Sequence, residues 1–240
     1  MRIDEPIIAL DFPSQENVTD FLDRFPVSEE LYVKVGMELY YAAGPDIVRL
    51  LKSRGLRVFL DLKLHDIPHT VEAAARVIAS LGADMCTVHA AGGSDMLKAA
   101  RSGLDAGSRG TTPLMLAITQ LTSTSQEQLN TELQVPGSMR DSVLGLARMA
   151  KGAGADGVVC SALEAGDVAA KVGTDFLRVT PGIRPAGAAT GDQARVVTPQ
   201  RAGQIGSSAI VVGRPITQAD NPYSAYTAIK TAWNEGEQND

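Results

Sequence analysis

Short β-rich runs recur along the chain, and helical periodicity fills the stretches between them. The runs are Pro6 to Leu10, Tyr32 to Val35, Val58 to Leu62, Met85 to Val88, Leu114 to Ile118, Gly157 to Cys160, Phe176 to Val179 and Ala209 to Val212. Most are near-continuously apolar, the pattern of parallel strands covered on both faces. Val71, Ala74, Ala75, Ile78 and Leu81 repeat at helical spacing, and Gly82 follows as a stop. Pro45-Asp46 opens another helix, with Ile47, Leu50 and Leu51 as its buried side and Gly55 as its end. This alternation within 240 residues predicts an α/β fold, one closed (β/α)8 TIM barrel over residues 1–240, for which roughly 250 residues is the usual size. A doubly wound open sheet is the alternative. It would often carry Gly-x-Gly-x-x-Gly after its first strand, and no such motif follows Leu10.

Composition narrows the function. A net charge of -6 argues against general nucleic-acid binding, which wants basic surface, yet leaves room for a small anion held by a few placed cations. No apolar run approaches the ~20 residues of a membrane span. Met1-Arg-Ile-Asp-Glu5 lacks the apolar core of a signal peptide. The cytoplasm is therefore the expected compartment. Cys86 and Cys160 each sit in an apolar run and read as reduced core residues, with neither a disulfide framework nor a metal site implied. Two long connections, Thr119 to Arg140 and Thr180 to Pro199, lie on the carboxyl side of strands, where long loops are often functional. Residues 234–240 form a polar tail, expected to fray.

The third run ends in charge: Val58-Phe-Leu-Asp-Leu-Lys-Leu-His-Asp-Ile67. Strand side chains alternate, so Asp61 and Lys63 project from one face. Such a pair is either a structural ion pair or the centre of an active site. Other strand ends deliver polar groups to the same rim. They are Asp11, Lys34, Asp66 beyond the third strand, His89, then Thr122 and Ser123, and finally Arg184, Gly213 and Arg214. Singly, Asp11 also reads as a turn cap, Lys34 as a stabilising partner for Asp61, and His89 as a packing residue. Five alternating charges converging on one rim are harder to explain as packing. Gly213-Arg214-Pro215 adds a candidate anion site: glycine permits close backbone approach, proline starts a short helix, and arginine offers a forked donor.

These residues together resemble a known family. Phe59-Leu-Asp-Leu-Lys-Leu-His-Asp-Ile-Pro68, Pro6-Ile-Ile-Ala-Leu-Asp11, Val33-Lys-Val-Gly36, Val88-His-Ala-Ala-Gly92, Leu121-Thr-Ser-Thr124, Thr180-Pro-Gly-Ile-Arg184 and Ile210-Val-Val-Gly-Arg214 are similar to the orotidine 5'-phosphate decarboxylases, over about Pro6 to Trp233. Asp-x-Lys-x-x-Asp alone is shared with sister barrels that act on sugar phosphates. The resemblance implies conversion of orotidine 5'-monophosphate to uridine 5'-monophosphate and carbon dioxide, with no cofactor and no metal. It implies that Lys63 protonates C6, that Asp61 stands against the substrate carboxylate, and that Asp66 is lent across a homodimer interface. Thr70 follows as a ribose contact from the partner subunit, Ile67 as a further substrate contact, and Asp11 and Lys34 as ribose contacts that extend the charge array. Thr122 and Ser123 would hold the pyrimidine. Gln193, Arg214 and the Gly213 backbone would grip the phosphate, and Arg184 belongs to a closing loop, Pro185 to Gly191. His69 departs from the pattern, standing where a smaller polar residue is expected. No nucleic acid or membrane partner is implied.

Overall fold

The computed structural model describes residues 2–185 and 196–236. Among these residues, eight parallel strands pair in sequence order, and the last closes on the first. They are β1 (Ile7–Ala9), β2 (Tyr32–Val35), β3 (Arg57–Leu64), β4 (Met85–His89), β5 (Leu114–Ile118), β6 (Gly157–Val159), β7 (Leu177–Thr180) and β8 (Ala209–Val212). The helices are α1 (Gln15–Leu22), α2 (Met37–Ala43), α3 (Asp46–Ser53), α4 (Pro68–Ser80), α5 (Gly93–Gly107), α6 (Gln126–Thr131), α7 (Met139–Gly152), α8 (Ala162–Val172), α9 (Pro199–Gln204), α10 (Arg214–Thr217) and α11 (Pro222–Glu235). The predicted closed barrel is the observed one. No helix among the described residues is long and apolar enough to cross a membrane.

Strand alternation divides the core into two layers. Ile7, Tyr32, Phe59, Met85, Leu116 and Leu177 point inward and fill the barrel. Ile8, Val33, Val58 and Cys86 point outward under the helices. Register fixes the rim: Ile8 pairs with Val33 and Val212, and Val33 with Val58, so the carboxyl ends of β1, β2, β3 and β8 arrive side by side.

Helix starts follow local chemistry. Pro68 lies at the first turn of α4, where its missing N–H costs nothing. α8 begins with a capping box, Ser161 and Glu164 each satisfying a free N–H at the helix start, which lets the helix begin with only two residues between it and β6. α4 and α5 pack backbone to backbone, because a Cβ at Gly103 or Gly107 would strike the carbonyl oxygens of Glu72 and Arg76. That contact fixes the helix whose first turn carries Thr70 and which directly follows Asp66 and Ile67.

Four expectations need correction. The Thr119 to Arg140 connection is not bare loop: Ser125 caps α6, and Gln126 ties the segment together through Gly137 O and Met139 N. On α3 the deeply buried trio is Ile47, Val48 and Leu51, with Leu50 only partly covered. α4 buries Val71, Ala75, Ile78 and Ala79, leaving Ala74 and Leu81 half-buried. The helix α11 includes Asn234 and Glu235, so frayed polar tail is the wrong description of those two residues. Trp233, fully buried, donates from Nε1 to Ile3 O at 3.0 Å, and the Arg2 guanidinium lies 4.0 Å above its ring. The end of the last helix is thereby latched to the entry of the first strand.

Candidate active site

β3 runs in regular register to Leu60, which pairs with Cys86; the next pairing is Leu64 with Val88. The ladder slips in between, and there Lys63 adopts a φ of 54°, in the left-handed region that non-glycine residues avoid. Such strain costs on the order of 1–3 kcal/mol and persists only where the surroundings enforce it. The enforcing partner is Thr87 on β4, whose Oγ1 accepts the Lys63 N–H at 2.9 Å.

Asp61 is 9% exposed. Its Oδ2 accepts from Lys63 Nζ at 2.9 Å and faces Lys34 Nζ at 3.6 Å, while its Oδ1 accepts from the Thr87 hydroxyl at 2.9 Å. Lys34 Nζ also donates to Asp11 Oδ1 at 3.3 Å. The result is an unbroken alternating chain, Asp11–Lys34–Asp61–Lys63. Burial pushes the Asp61 pKa up, but Lys34, Lys63 and the hydrogen bonds from Lys63 and Thr87 outweigh it and hold the carboxyl below its ordinary value. His89 follows on β4, its ring 5.2 Å from that of His65. Burial, with His65 and Lys63 adding to it, lowers the His89 pKa, which favours a neutral imidazole.

This chain of charge lines a hollow of about 280 Å³. Lys34, Asp61 and Lys63 form its charged side, Thr122 and Ser123 its hydroxyl side, and Phe59, Ile118 and Val159 are among its apolar lining residues. A second hollow of about 360 Å³ adjoins it, with Lys34, Pro181 and Val211 common to both. Asp11, Arg184, Gly213 and Arg214 line the second, with Gln218 one turn along from Arg214. The base of the β7 loop is held by a parallel bridge between Ile183 and Val197, with Arg184 N donating to Val197 O at 3.0 Å. The Arg184 side chain is thereby carried on a pinned backbone. Gly213-Arg214-Pro215 does open a helix, the four-residue α10.

Asp11, Lys34, Asp61, Lys63, Thr122, Ser123, Arg184, Gly213 and Arg214 therefore meet in one cleft, as the sequence predicts. Asp66, Ile67 and Thr70 do not line either hollow. They are exposed, Asp66 and Ile67 on the β3–α4 turn and Thr70 in the first turn of α4, with Ile67 at 66%, and Asp66 Oδ1 accepts the Ile67 N–H at 2.6 Å. Within the chain, then, Asp61 alone of the two acids pairs with Lys63. Gln193 and most of the Pro185 to Gly191 loop lie outside the described residues. Thr87 and Gln218 were not singled out from the sequence. Thr87 had a signal: Met85, Thr87 and His89 alternate on β4, so a polar residue faced the barrel at the level of Asp61. Gln218 had only its spacing from Arg214.

Fold and site define a class: (β/α)8-barrel proteins with a lysine–aspartate network at the carboxyl ends of the strands, beside an arginine-lined hollow suited to an anion. Within that class the chain belongs to the orotidine 5'-phosphate decarboxylase / HUMPS family, whose family model matches residues 4–229. Among curated relatives, the orotidine 5'-phosphate decarboxylase of Cutibacterium acnes is 58% identical over 236 residues, covering 98% of this chain and 99% of that one. The protein of the same name from Streptococcus thermophilus (strain ATCC BAA-491 / LMD-9) is 56% identical over 235 residues, covering 98% and 100%. The crystal structure of orotidine 5'-phosphate decarboxylase from Lactobacillus acidophilus superposes with a TM-score of 0.88 at 47% identity, covering 98% of this chain and 100% of that one.

Proposed function

We propose that the protein decarboxylates orotidine 5'-monophosphate to uridine 5'-monophosphate, a step of pyrimidine nucleotide synthesis, without a cofactor. The observation that carries this reading is the Asp11–Lys34–Asp61–Lys63 chain, set beside a hollow lined by Arg184 and Arg214. Heterolysis of the C6–carboxyl bond releases carbon dioxide and leaves an electron pair in the ring plane, where the π system cannot spread it. The Lys63 ammonium stabilises that charge by its field and then gives its proton to C6, and the resulting amine regains a proton from solvent. Asp61 stands against the departing carboxylate. With both of its oxygens engaged by donors, it stays ionised and fixed in orientation. A carboxylate held so favours a charged lysine beside it. That arrangement opposes the Schiff-base use of a barrel lysine, which needs the neutral amine.

The remaining contacts follow the chemistry of the ligand. Thr122 and Ser123 have hydroxyls suited to the edge of a pyrimidine, and the apolar lining suits its faces. Arg184, Arg214, the Gly213 backbone and Gln193 grip the phosphate, far from the bond that breaks, so that their binding energy can serve to close the loop and assemble the site. Asp11 and Lys34 hold the ribose. A homodimer completes the site: Asp66, Ile67 and Thr70 act on the partner's pocket, and their exposure on the rim supports it. Cys86 and Cys160, both buried and neither in a disulfide, fit a reducing cytoplasm.

The test is the fall in orotidine-monophosphate absorbance on adding purified protein, with and without EDTA. Turnover indifferent to EDTA is expected. No turnover, or turnover abolished by EDTA, favours instead a metal-dependent sugar-phosphate enzyme of the same family.

A further inference from the structure

Thr87 occupies a place that the reaction described above does not use. It is fully buried in the barrel, 0% exposed, and lines neither hollow, so it stands outside the proposed substrate site. Its hydroxyl makes two contacts of opposite sense. As acceptor it takes the Lys63 N–H at 2.9 Å; as donor it gives its single hydrogen to Asp61 Oδ1 at 2.9 Å. A hydroxyl has one hydrogen, so occupation of a lone pair by Lys63 N–H helps to aim that hydrogen at Asp61. The strand register explains the first contact. Pairing of β3 with β4 slips between Leu60 and Leu64, and a side-chain oxygen takes the Lys63 N–H where the ladder slips, at the residue bent to a φ of 54°. The second contact occupies Oδ1, which leaves Oδ2 turned toward Lys63 Nζ at 2.9 Å and Lys34 Nζ at 3.6 Å.

We infer that Thr87 is a positioning residue: its one hydroxyl locks the backbone that carries the Lys63 ammonium and the carboxylate that opposes it into a single rigid unit. The proton donor and the acid are thereby held in fixed relation before any ligand arrives, as preorganised electrostatics requires. This inference rests on the decarboxylase reading for its rate consequence, but not for its geometry.

The experiment compares Thr87→Val, close in shape but without the hydroxyl, with Thr87→Ser, which keeps the hydroxyl and loses only a methyl group. For Thr87→Val, kcat falls about 10- to 100-fold, the scale of one hydrogen bond to a charged group. KM and the dissociation constant for uridine 5'-monophosphate change by less than ~3-fold, because a group acting only on the reacting geometry leaves ligand binding alone. Thr87→Ser recovers most of the loss. Thr87→Cys, with its weaker S–H donor, falls between the two and serves as the second variant should the valine protein not fold. The acid limb of the kcat–pH profile moves to higher pH in Thr87→Val, since Asp61 has lost a donor to its charged form.

A valine variant with wild-type kcat overturns the inference. So does a serine variant as slow as the valine one, which would make the methyl group and its packing the cause. Nucleotide affinity that falls in step with kcat also overturns it, because that marks a collapsed pocket. If the wild-type protein does not turn over orotidine monophosphate, the decarboxylase reading is what has failed. The Thr87 claim is then decided by NMR titration of the Asp61 carboxyl, which titrates at higher pH in Thr87→Val if the inference holds and at the wild-type pH if it does not.

Discussion

Replacing Lys63 with alanine removes the ammonium and leaves its surroundings standing. Asp61 keeps the Thr87 hydroxyl at 2.9 Å and Lys34 at 3.6 Å, so the buried carboxylate is not stranded. Breaking a buried pair outright costs about 3–5 kcal/mol, and the surviving partners hold this case below that. Relief of the repulsion between Lys34 and Lys63 works in the same direction. Alanine also inherits the left-handed backbone at no more cost than lysine, since both carry a Cβ. The variant should fold, with a modest drop in melting temperature. Catalysis is another matter. An ammonium about 3.5 Å from a localised carbanion, at an effective dielectric of ~20, contributes about 5 kcal/mol, roughly three and a half decades in rate at 1.4 kcal/mol per decade. Removal of a single preorganised donor costs about 10²–10³ in kcat, so that range is the least expected once proton delivery is lost as well. The assay is kcat for orotidine-monophosphate decay, with thermal melting as the fold control. A folded Lys63→Ala protein that turns over within a few-fold of wild type would refute the role assigned to this lysine.

Four further outcomes are expected. Arg214→Ala mainly raises KM for the phosphorylated substrate, and an unchanged KM and kcat/KM in steady-state kinetics would remove Arg214 from the phosphate grip. Mixing inactive Lys63→Ala and Asp66→Ala chains restores part of the activity, because one hybrid site of a mixed dimer is intact; no recovery on mixing would count against a shared site. Gly36→Ala places a Cβ 3.2 Å from Lys34 Nζ and 3.4 Å from Asp11 Oδ1, so the flexible lysine end must shift. Melting temperature should hold while kcat/KM drops several-fold, as displaced polar groups near a reacting centre predict. The depressed Asp61 pKa makes a linkage statement: its stabilisation is complete above the unfolded carboxyl value of about 3.9 and fades as pH falls through the lower folded value. Denaturant midpoints measured at pH 5 and pH 3 should therefore fall less between the two in Asp61→Asn than in wild type.

The barrel was legible in the sequence because its strands announce themselves twice. Runs such as Leu114 to Ile118 are apolar throughout, and Gly or Pro punctuation sets off the helices between them. The helices α2 and α6 were harder, being 7 and 6 residues long and lacking the repeated apolar stripe that marks a longer helix. The buried face of α3 exchanged one member, Leu50 for Val48, because spacing specifies a stripe and packing chooses its centre. At the site, alternation placed Asp61 and Lys63 on one side, and their 2.9 Å contact agrees. What alternation could not convey is the slip in the β3–β4 ladder, since register belongs to a pair of strands. Alternation turned Thr87 toward the barrel, but its contact with the Lys63 N–H was hidden for that reason. Its value depends on which atom of β3 stands opposite, and no count along one strand contains that information. The segment Asp66 to Thr70 lay open on the rim for a related reason: its proposed counterpart is on another molecule.

The seam between β1 and β8 joins Ile7 to Val211, some 200 residues further along the chain. At a ribosomal pace of about 5–20 residues per second, β1 waits roughly 10–40 s for its second neighbour. Throughout that interval its unpaired edge is open to other nascent chains, a known route to aggregation. Arg214 and the Trp233 latch emerge later still. With the proposed phosphate grip on Gly213 and Arg214, a growing chain carries Lys63 and Asp61 long before it can retain a nucleotide, and translation must bring out the last strand and helix before ligand can help hold the newborn molecule shut.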